Sequence, residues 1–492
     1  MNSTIIPVFR STVVLVLMLA NLSVAQSQVA QATRWFSGTL SLQTYMKYPV
    51  YLTIVTTKDS LAGWMDIPSQ NIGGIPLAGI NLTGKEFSFH TQLSIGVWSK
   101  CSATSTTDGQ YTGTLMQSGI PLTASFTATQ SNTSPTEKNF GTRTDTLVIE
   151  HDLRFSPDEQ SVIAGTLTVP KSSAARVPLV IMISGSGQQD RDETILGFKP
   201  FAILARELAK AGVASFRYDD RCTGASRGDM FSFTTKDLAA DARFALMQLK
   251  QRTDIDSARM FILGHSEGGI IAGMLASEMN TPTSKPIAGI ILMASSAVRG
   301  DSVILQQITG GMRRDGKSKR EIDSVAQRQT ETYTAVRTGK GMEDIEKDIR
   351  NAAIKQFALL PPIQRAMMKD TVEGLQSLTQ SKLYQLKMPW FKFFIDYNPA
   401  YDLRSLRIPV LAMFGNKDVQ VDVVQNGSVL RQMKEEKSGE RDITIVNIPN
   451  ANHLFQEAQS GETSEYGMLK KEFAPKVIDT VTSWLKQKAS LP

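Results

Sequence analysis

Residues Met260–Ala272 read M-F-I-L-G-H-S-E-G-G-I-I-A, and this run decides the fold. An apolar strand enters Gly-x-Ser-x-Gly and a helix leaves it, so one serine, Ser266, is presented on a tight strand-to-helix turn. So sharp a turn strains the serine backbone and crowds its neighbours. Glycine is needed at Gly264 and Gly268, where a Cβ would collide. The serine oxygen is then expected to project above a sheet edge, ready to attack.

Outward from this turn, the chain alternates strands with helices, the mark of a mostly parallel sheet covered on both faces. The strand candidates are Thr146–Leu153, Ile163–Val169, Pro178–Ser184, Val213–Tyr218, Met260–Gly264, Ile287–Ala294, Pro409–Phe414 and Thr444–Ile448. One helix between them is opened by the box Thr234-x-x-Asp237 and carries Leu238, Ala242, Ala245 and Leu249 on one face. Residues 299–400 interrupt the alternation with long charged helical stretches and the aromatic run P-W-F-K-F-F from Pro389, so they are expected to form an inserted helical cap within a catalytic domain spanning 145–492.

The N-terminal part reads differently. From Trp35 to about Thr129 the pattern is all strand, with alternation in Y-L-T-I-V-T from Tyr51 and L-T-A-S-F-T from Leu122, and turn signals at Asp108-Gly109 and Ser118-Gly119. A small antiparallel β-domain over 33–130 is expected, followed by a polar, breaker-rich linker at 131–144. Residues 1–25 place Arg10 before the apolar run Ser11–Ala20 and end on Ser23-Val24-Ala25. They read as a cleavable secretory signal, too short for a membrane anchor, which predicts a periplasmic or secreted protein.

The 492 residues, 41% of them hydrophobic, are enough for two or three structural units. The formal net charge of +6 does not mark a nucleic-acid binder, because the basic residues are dispersed and the densest cluster, Arg313–Arg320, is followed by acidic residues, as on a solvated helix face. Cys101 and Cys222 fall in different domains and are expected to be free. These two cysteines and four scattered histidines supply no metal-ligand cluster.

A serine hydroxyl needs a base to take its proton, usually an imidazole held by a carboxylate. Of the four histidines, His90 lies in the β-domain and His151 in the first strand of the sheet. His265 adjoins the nucleophile, where the turn should aim it away from the serine oxygen. His453, just after the last strand, remains as the base. The acid should lie between Ser266 and His453 at the carboxyl end of a strand. Asp418 after Pro409–Phe414 fits, with Asp422 as competitor, and the order Ser, Asp, His supports Asp418. The developing oxyanion needs two amide donors. The backbone N–H of Glu267 and that of Ser186, in the loop Ser184–Gln189, are the candidates. That glycine-rich loop lacks Gly-Lys-Ser/Thr and Rossmann spacing, so no nucleotide site is read from it.

Five motifs now carry a family resemblance: G-S-G-Q-Q-D-R-D at Gly185–Asp192, R-Y-D-D-R at Arg217–Arg221, G-H-S-E-G-G at Gly264–Gly269, G-N-K-D-V-Q-V at Gly415–Val421 and N-H-L-F-Q at Asn452–Gln456. Together, and in this order, they resemble the bacterial α/β-hydrolases described as EstD-type carboxylesterases. W-F-S-G-T-L from Trp35 and I-P-S-Q-N-I-G-G-I-P from Ile67 are more loosely similar to the β-domain that precedes some of them. The resemblance implies an α/β-hydrolase fold, a Ser266, Asp418 and His453 triad, hydrolysis of short acyl esters as small-molecule substrates, and no cofactor. One departure is D-R-C-T-G-A-S, where relatives usually read Asp-Arg-Gly-x-Gly-x-Ser. Cys222 thus replaces a glycine in a loop expected near the site, where it either shapes the pocket or merely fills space. Asp190, Arg191 and Asp192 are expected to form an ion-pair cluster fixing the oxyanion loop, and the Glu267 side chain to pack behind the turn. Fold and triad leave the leaving group open, so a serine peptidase or aminopeptidase is the alternative enzyme. A non-catalytic binding protein of the same fold is the alternative outside catalysis.

Overall fold

The computed structural model describes residues 32–491, apart from 43–45, 57–59, 95–96, 118–119, 139, 172–175, 230, 282–285, 360–378, 381 and 437–440. The expected signal segment 1–25 therefore lies outside the described residues, as does the turn at Ser118-Gly119.

Eight antiparallel strands close the N-terminal part into a barrel: β1 (Thr33–Leu42), β2 (Met46–Thr56), β3 (Leu61–Ile67), β4 (Ile72–Leu82), β5 (Glu86–Ser94), β6 (Val97–Thr107), β7 (Gln110–Gln117) and β8 (Ile120–Thr129). The alternation seen in the sequence does the sorting, because successive side chains leave opposite faces of a strand. Leu52 and Ile54 of β2, Phe87 and Phe89 of β5 and Ala124 and Phe126 of β8 all point inward and are buried. Phe87 stands at the centre, within 5.0–5.6 Å of Phe36, Phe89, Tyr111 and Phe126. Pairing of β1 with both β2 and β8 removes the open edges an isolated sheet would expose.

The expected linker is not featureless to its end. Pro135–Lys138 forms a helical turn, and Thr142–Thr144 pairs with the next strand as the edge of a second sheet. Its three residues are all exposed and polar, so hydrophobic alternation could not reveal it.

That second sheet has nine strands: β9 (Thr142–Thr144), β10 (Val148–Phe155), β11 (Ile163–Pro170), β12 (Val177–Ile183), β13 (Ala214–Tyr218), β14 (Ile255–His265), β15 (Gly289–Met293), β16 (Val410–Gly415) and β17 (Ile443–Ile448). Their spatial order is β17-β16-β15-β14-β12-β13-β11-β10-β9. The six from β13 through β12 to β17 run parallel, while β9, β10 and β11 add antiparallel pairs at the other edge. Strands β12 and β15 are buried at every position, as a sheet covered on both faces requires.

Helices α1 (Pro200–Lys210), α2 (Thr235–Leu249), α3 (Glu267–Met279), α9 (Val423–Glu435) and α10 (Val477–Lys488) belong to this layer. Between β15 and β16 lie α4 (Gly300–Arg314), α5 (Lys319–Thr338), α6 (Met342–Leu359), α7 (Pro389–Asp396) and α8 (Ala400–Ser405), where the helical cap was expected. The capping box at Thr234 and Asp237 opens α2, with the Thr234 amide donating to Asp237 at 2.7 Å. Among the described residues, no helix is long and apolar enough to cross a membrane.

Candidate active site

The site is built at the carboxyl ends of the parallel strands. β14 ends on His265 and α3 begins on Glu267, so Ser266 alone makes the turn, with φ 53° and ψ −118°. A non-glycine residue held there costs on the order of 1–3 kcal/mol, which the surrounding packing must offset. The flanking glycines show why nothing larger fits. A Cβ at Gly264 would stand 2.1 Å from the Gly268 carbonyl oxygen, and one at Gly268 would stand 2.1 Å from that of Ile183.

His453 follows β17, and Asp418 follows β16. The Asp418 carboxylate, fully buried, accepts from His453 Nδ1 at 2.8 Å. Its other oxygen accepts the amides of Gln420 and Val421 at 2.8 and 2.9 Å, which fixes the carboxylate plane. An acceptor at Nδ1 places the proton there and leaves Nε2 as the basic nitrogen. Asp422 has another duty: it is the N-cap of α9, accepting the Gln425 amide at 2.6 Å. Ser266 and His453 line the same cavity. Among the described residues no hydrogen bond joins them, a common condition in a site without substrate.

Two amides are available for an anionic oxygen. Glu267 is the first residue of α3, so its N–H lacks a partner within the helix. In the loop after β12, the Gly185 amide is taken by Glu193 at 2.8 Å and the Gln189 amide by Asp220 at 2.9 Å. The Ser186 amide makes no hydrogen bond among the described residues. This loop lies close on Ser266, since a Cβ at Gly185 would be 3.1 Å from Ser266 Cβ.

Three features went unread in the sequence. Glu193, buried and at φ 52°, uses one oxygen to hold both the Gly185 amide and His265 Nδ1, the latter at 2.7 Å. His265 Nε2 lies 2.9 Å from the His453 carbonyl oxygen, which can only accept. Hydrogen on both ring nitrogens satisfies both contacts, so the surroundings favour the protonated ring. Burial works against this charge, but the Glu193 carboxylate and the hydrogen bonds outweigh it and raise the His265 pKa above its ordinary value. His265 thus holds the backbone of His453, its ring 4.7 Å from the His453 ring.

The second feature is the Glu267 side chain, expected to pack behind the turn. It is buried and accepts from Ser186 Oγ at 2.6 Å, Thr235 Oγ1 at 2.7 Å and the Trp390 indole at 2.8 Å. Burial raises its pKa, against the pull of those three donors. The loop after β12, α2 and α7 thereby meet on one carboxyl group. The third is Trp390 itself, which with Phe394 brings α7 to the cavity wall.

Around the site, Arg191 pairs with Asp219 at 2.6 Å and Asp152 at 3.1 Å, and Asp192 with Arg217 at 2.8 Å, in line with a structural cluster. Of the two roles left open for Cys222, filling space is the one its position fits, for it does not line the cavity. Its buried thiol points to the carbonyl of Gly228 at 3.0 Å, and burial pushes its pKa up to about 12. Its φ of 57° is one that glycine adopts freely, in keeping with the glycine that the resemblance implies there. Both cysteines are free and buried. Among the described residues no group of three or more His, Cys, Asp or Glu side chains could hold a metal ion.

A mixed sheet with a strained serine between strand and helix, and an Asp–His pair after the next strands in the order Ser, Asp, His, decides the fold. It is the α/β-hydrolase fold. A family model described as serine aminopeptidase, S33, matches residues 198–345 of this chain. Esterase EstD of Thermotoga maritima is 25% identical over 331 residues, which are 66% of this chain and 65% of that protein. The match thus spans somewhat less than two thirds of the relative. Among solved structures, an esterase of Pyrococcus furiosus aligns at a TM-score of 0.40 and 14% identity, covering 73% of this chain and 95% of that one. An esterase of Thermogutta terrifontis aligns at 0.38 and 15%, covering 69% and 99%.

Proposed function

We propose that this hydrolase cleaves carboxylic esters of small molecules through an acyl-enzyme on Ser266. His453 Nε2 takes the proton as Ser266 Oγ attacks the carbonyl carbon, and the amides of Ser186 and Glu267 hold the resulting oxyanion. Collapse expels the alcohol, which leaves with the proton from His453. Water, deprotonated by the same imidazole, then releases the acid and restores the serine. Asp418 keeps the ring in the required tautomer throughout. The observation that carries this reading is the 2.8 Å Asp418–His453 pair on the cavity that Ser266 lines.

The cavity, about 380 Å³, favours a compact substrate with short acyl chains, and Ile195, Ile270, Val303, Val421 and Leu454 give it apolar walls. An aminopeptidase needs a carboxylate to grip a free amino terminus. The two carboxylates among the described lining residues, Glu193 and Glu267, are already engaged by two and three donors, which favours the ester reading. The leader-like residues 1–25 fit export of the enzyme. The test is turnover of short p-nitrophenyl esters beside aminoacyl arylamides, with Ser266→Ala and His453→Ala as controls. Ester turnover lost in both variants is expected. Undiminished turnover in either removes that residue from the mechanism, and amide turnover exceeding ester turnover reverses the choice of substrate class.

A further inference from the structure

The segment I-P-S-Q-N-I-G-G-I-P from Ile67 is built for contact with the catalytic domain. Between β3 and β4, Pro68–Gln70 makes one 3₁₀ turn and Asn71 follows at φ 55°. This tip of the barrel meets the loop after β13. Ile72 forms an antiparallel bridge with Thr223, the Gly73 amide donates to the Cys222 carbonyl at 3.3 Å, and the Gly224 amide donates to the Asn71 carbonyl at 3.5 Å. The approach is close enough that a Cβ on Gly73 would stand 1.9 Å from the Gly224 carbonyl oxygen. Beside this seam, Arg227 lies over the Trp64 ring at 4.7 Å.

Both contacts lead to the oxyanion loop. On one side, Asn71 Nδ2 donates to Asp190 at 3.3 Å. Asp190 accepts the amides of Asp192 and Thr194 through its side chain and that of Glu193 through its carbonyl. The turn so closed sets Glu193, which holds the Gly185 amide and His265. On the other side, the loop gripped by Ile72 and Gly73 begins at Asp219 and Asp220. Asp219 takes the Arg191 amide and guanidinium, while Asp220 takes the Gln189 amide and the Ser184 hydroxyl. Ser186, whose amide has no hydrogen-bond partner among the described residues, sits between these two anchors.

We infer that the barrel is a positioning element for the oxyanion hole: the Asn71–Gly73 tip clamps the loop that carries the Ser186 amide. This rests on the hydrolase reading proposed above. Asn71 and Gly73 are positioning residues, touching no reacting atom, so their loss acts on stabilisation of the charged intermediate and not on binding of the neutral ester. Displacing an oxyanion donor removes part of the roughly 10²- to 10³-fold effect of deleting one.

The test uses the full chain carrying Asn71→Asp, Asn71→Gly or Gly73→Ala. Asn71→Asp sets a carboxylate against Asp190 at a position where aspartate tolerates positive φ, Asn71→Gly suits the positive φ while removing the side chain and its hydrogen bond, and Gly73→Ala wedges the seam. The readouts are kcat and KM for p-nitrophenyl acetate, affinity for a trifluoromethyl ketone that forms the tetrahedral adduct, and the melting temperature. For Asn71→Asp and Gly73→Ala, kcat and ketone affinity should each fall about tenfold or more while KM stays within about twofold. Asn71→Gly should show a smaller fall of the same kind, and high salt should restore part of the Asn71→Asp loss by screening the new repulsion. Unchanged kcat and ketone affinity in Asn71→Asp and Gly73→Ala overturn the inference. So does a loss explained entirely by a smaller folded fraction, since that is a purely structural role. Failure of the underlying reading shows elsewhere, as absent wild-type turnover or turnover undiminished in Ser266→Ala, and takes the inference with it.

Discussion

Replacing Glu193 with glutamine removes one charge, changes almost no volume, and strikes the group that joins the loop after β12, through His265, to His453. In the wild type a single Glu193 oxygen serves the Gly185 amide and His265 Nδ1, while His265 Nε2 donates to the His453 carbonyl. With Glu193→Gln, the ring must either stay cationic without its counter-ion, at about 3–5 kcal/mol for a broken buried pair, or lose a proton. A neutral ring can give its one hydrogen to the His453 carbonyl and accept from the glutamine NH2, but the Gly185 amide then loses its acceptor, so one buried group is left unpaired at a cost of about 1–3 kcal/mol. The pH dependence follows from the raised His265 pKa. A histidine whose folded pKa exceeds its unfolded value contributes stability that is fully present below the unfolded pKa, about 6.5, and lost as pH rises through the folded one. The stability gap between wild type and Glu193→Gln should therefore be widest, about 3–5 kcal/mol, near pH 5.5 and narrow to about 1–3 kcal/mol in alkaline solution. Urea unfolding of both proteins at a series of pH values measures it. A gap that is constant with pH, or widens as pH rises, refutes the imidazolium assignment.

Other expectations concern the site more directly. Asp418→Asn should leave the protein folded but lower kcat by about 10²- to 10⁴-fold, because an amide no longer dictates the His453 tautomer; ester kinetics with circular dichroism as a folding control will show it. Gly268→Ala should lower stability by about 2 kcal/mol or more and sharply reduce activity, since its Cβ would sit 2.1 Å from the Ile183 carbonyl oxygen; thermal melting reads the first effect and ester turnover the second. Trp390→Phe should keep the apolar wall but leave Glu267 without one of its three donors, so kcat is expected to fall about three- to tenfold. Trp390→Ala should raise KM as well, and comparison of the two variants separates wall from hydrogen bond.

Much of this arrangement was legible in one dimension because the chemistry is local or ordered. The turn at Ser266 announces itself through glycines two residues to either side, and Asp418 and His453 follow strands whose apolar runs are plain. The strands β12 to β17 were readable for the same reason. Glu193, Glu267 and Trp390 were not, since their roles come from partners up to 123 residues away and a buried carboxylate carries no periodic mark. β9 escaped because three exposed polar residues at an edge show no alternation. Cys222 was placed near the pocket by analogy with a loop motif, whereas its position is set by the seam with the barrel, a contact 148 residues away in the chain. The choice between Asp418 and Asp422 needed coordinates, because a helix cap and a histidine partner can look alike four residues apart.

The central claim is that Ser266 forms the covalent intermediate with His453 as its base, and the most direct measurement is mass spectrometry of the intact protein and its peptides after exposure to a fluorophosphonate. The account predicts one adduct per chain on the peptide containing Ser266, formed much more slowly in His453→Ala and absent in Ser266→Ala. Labelling at a different residue, or at an equal rate in His453→Ala, would contradict it.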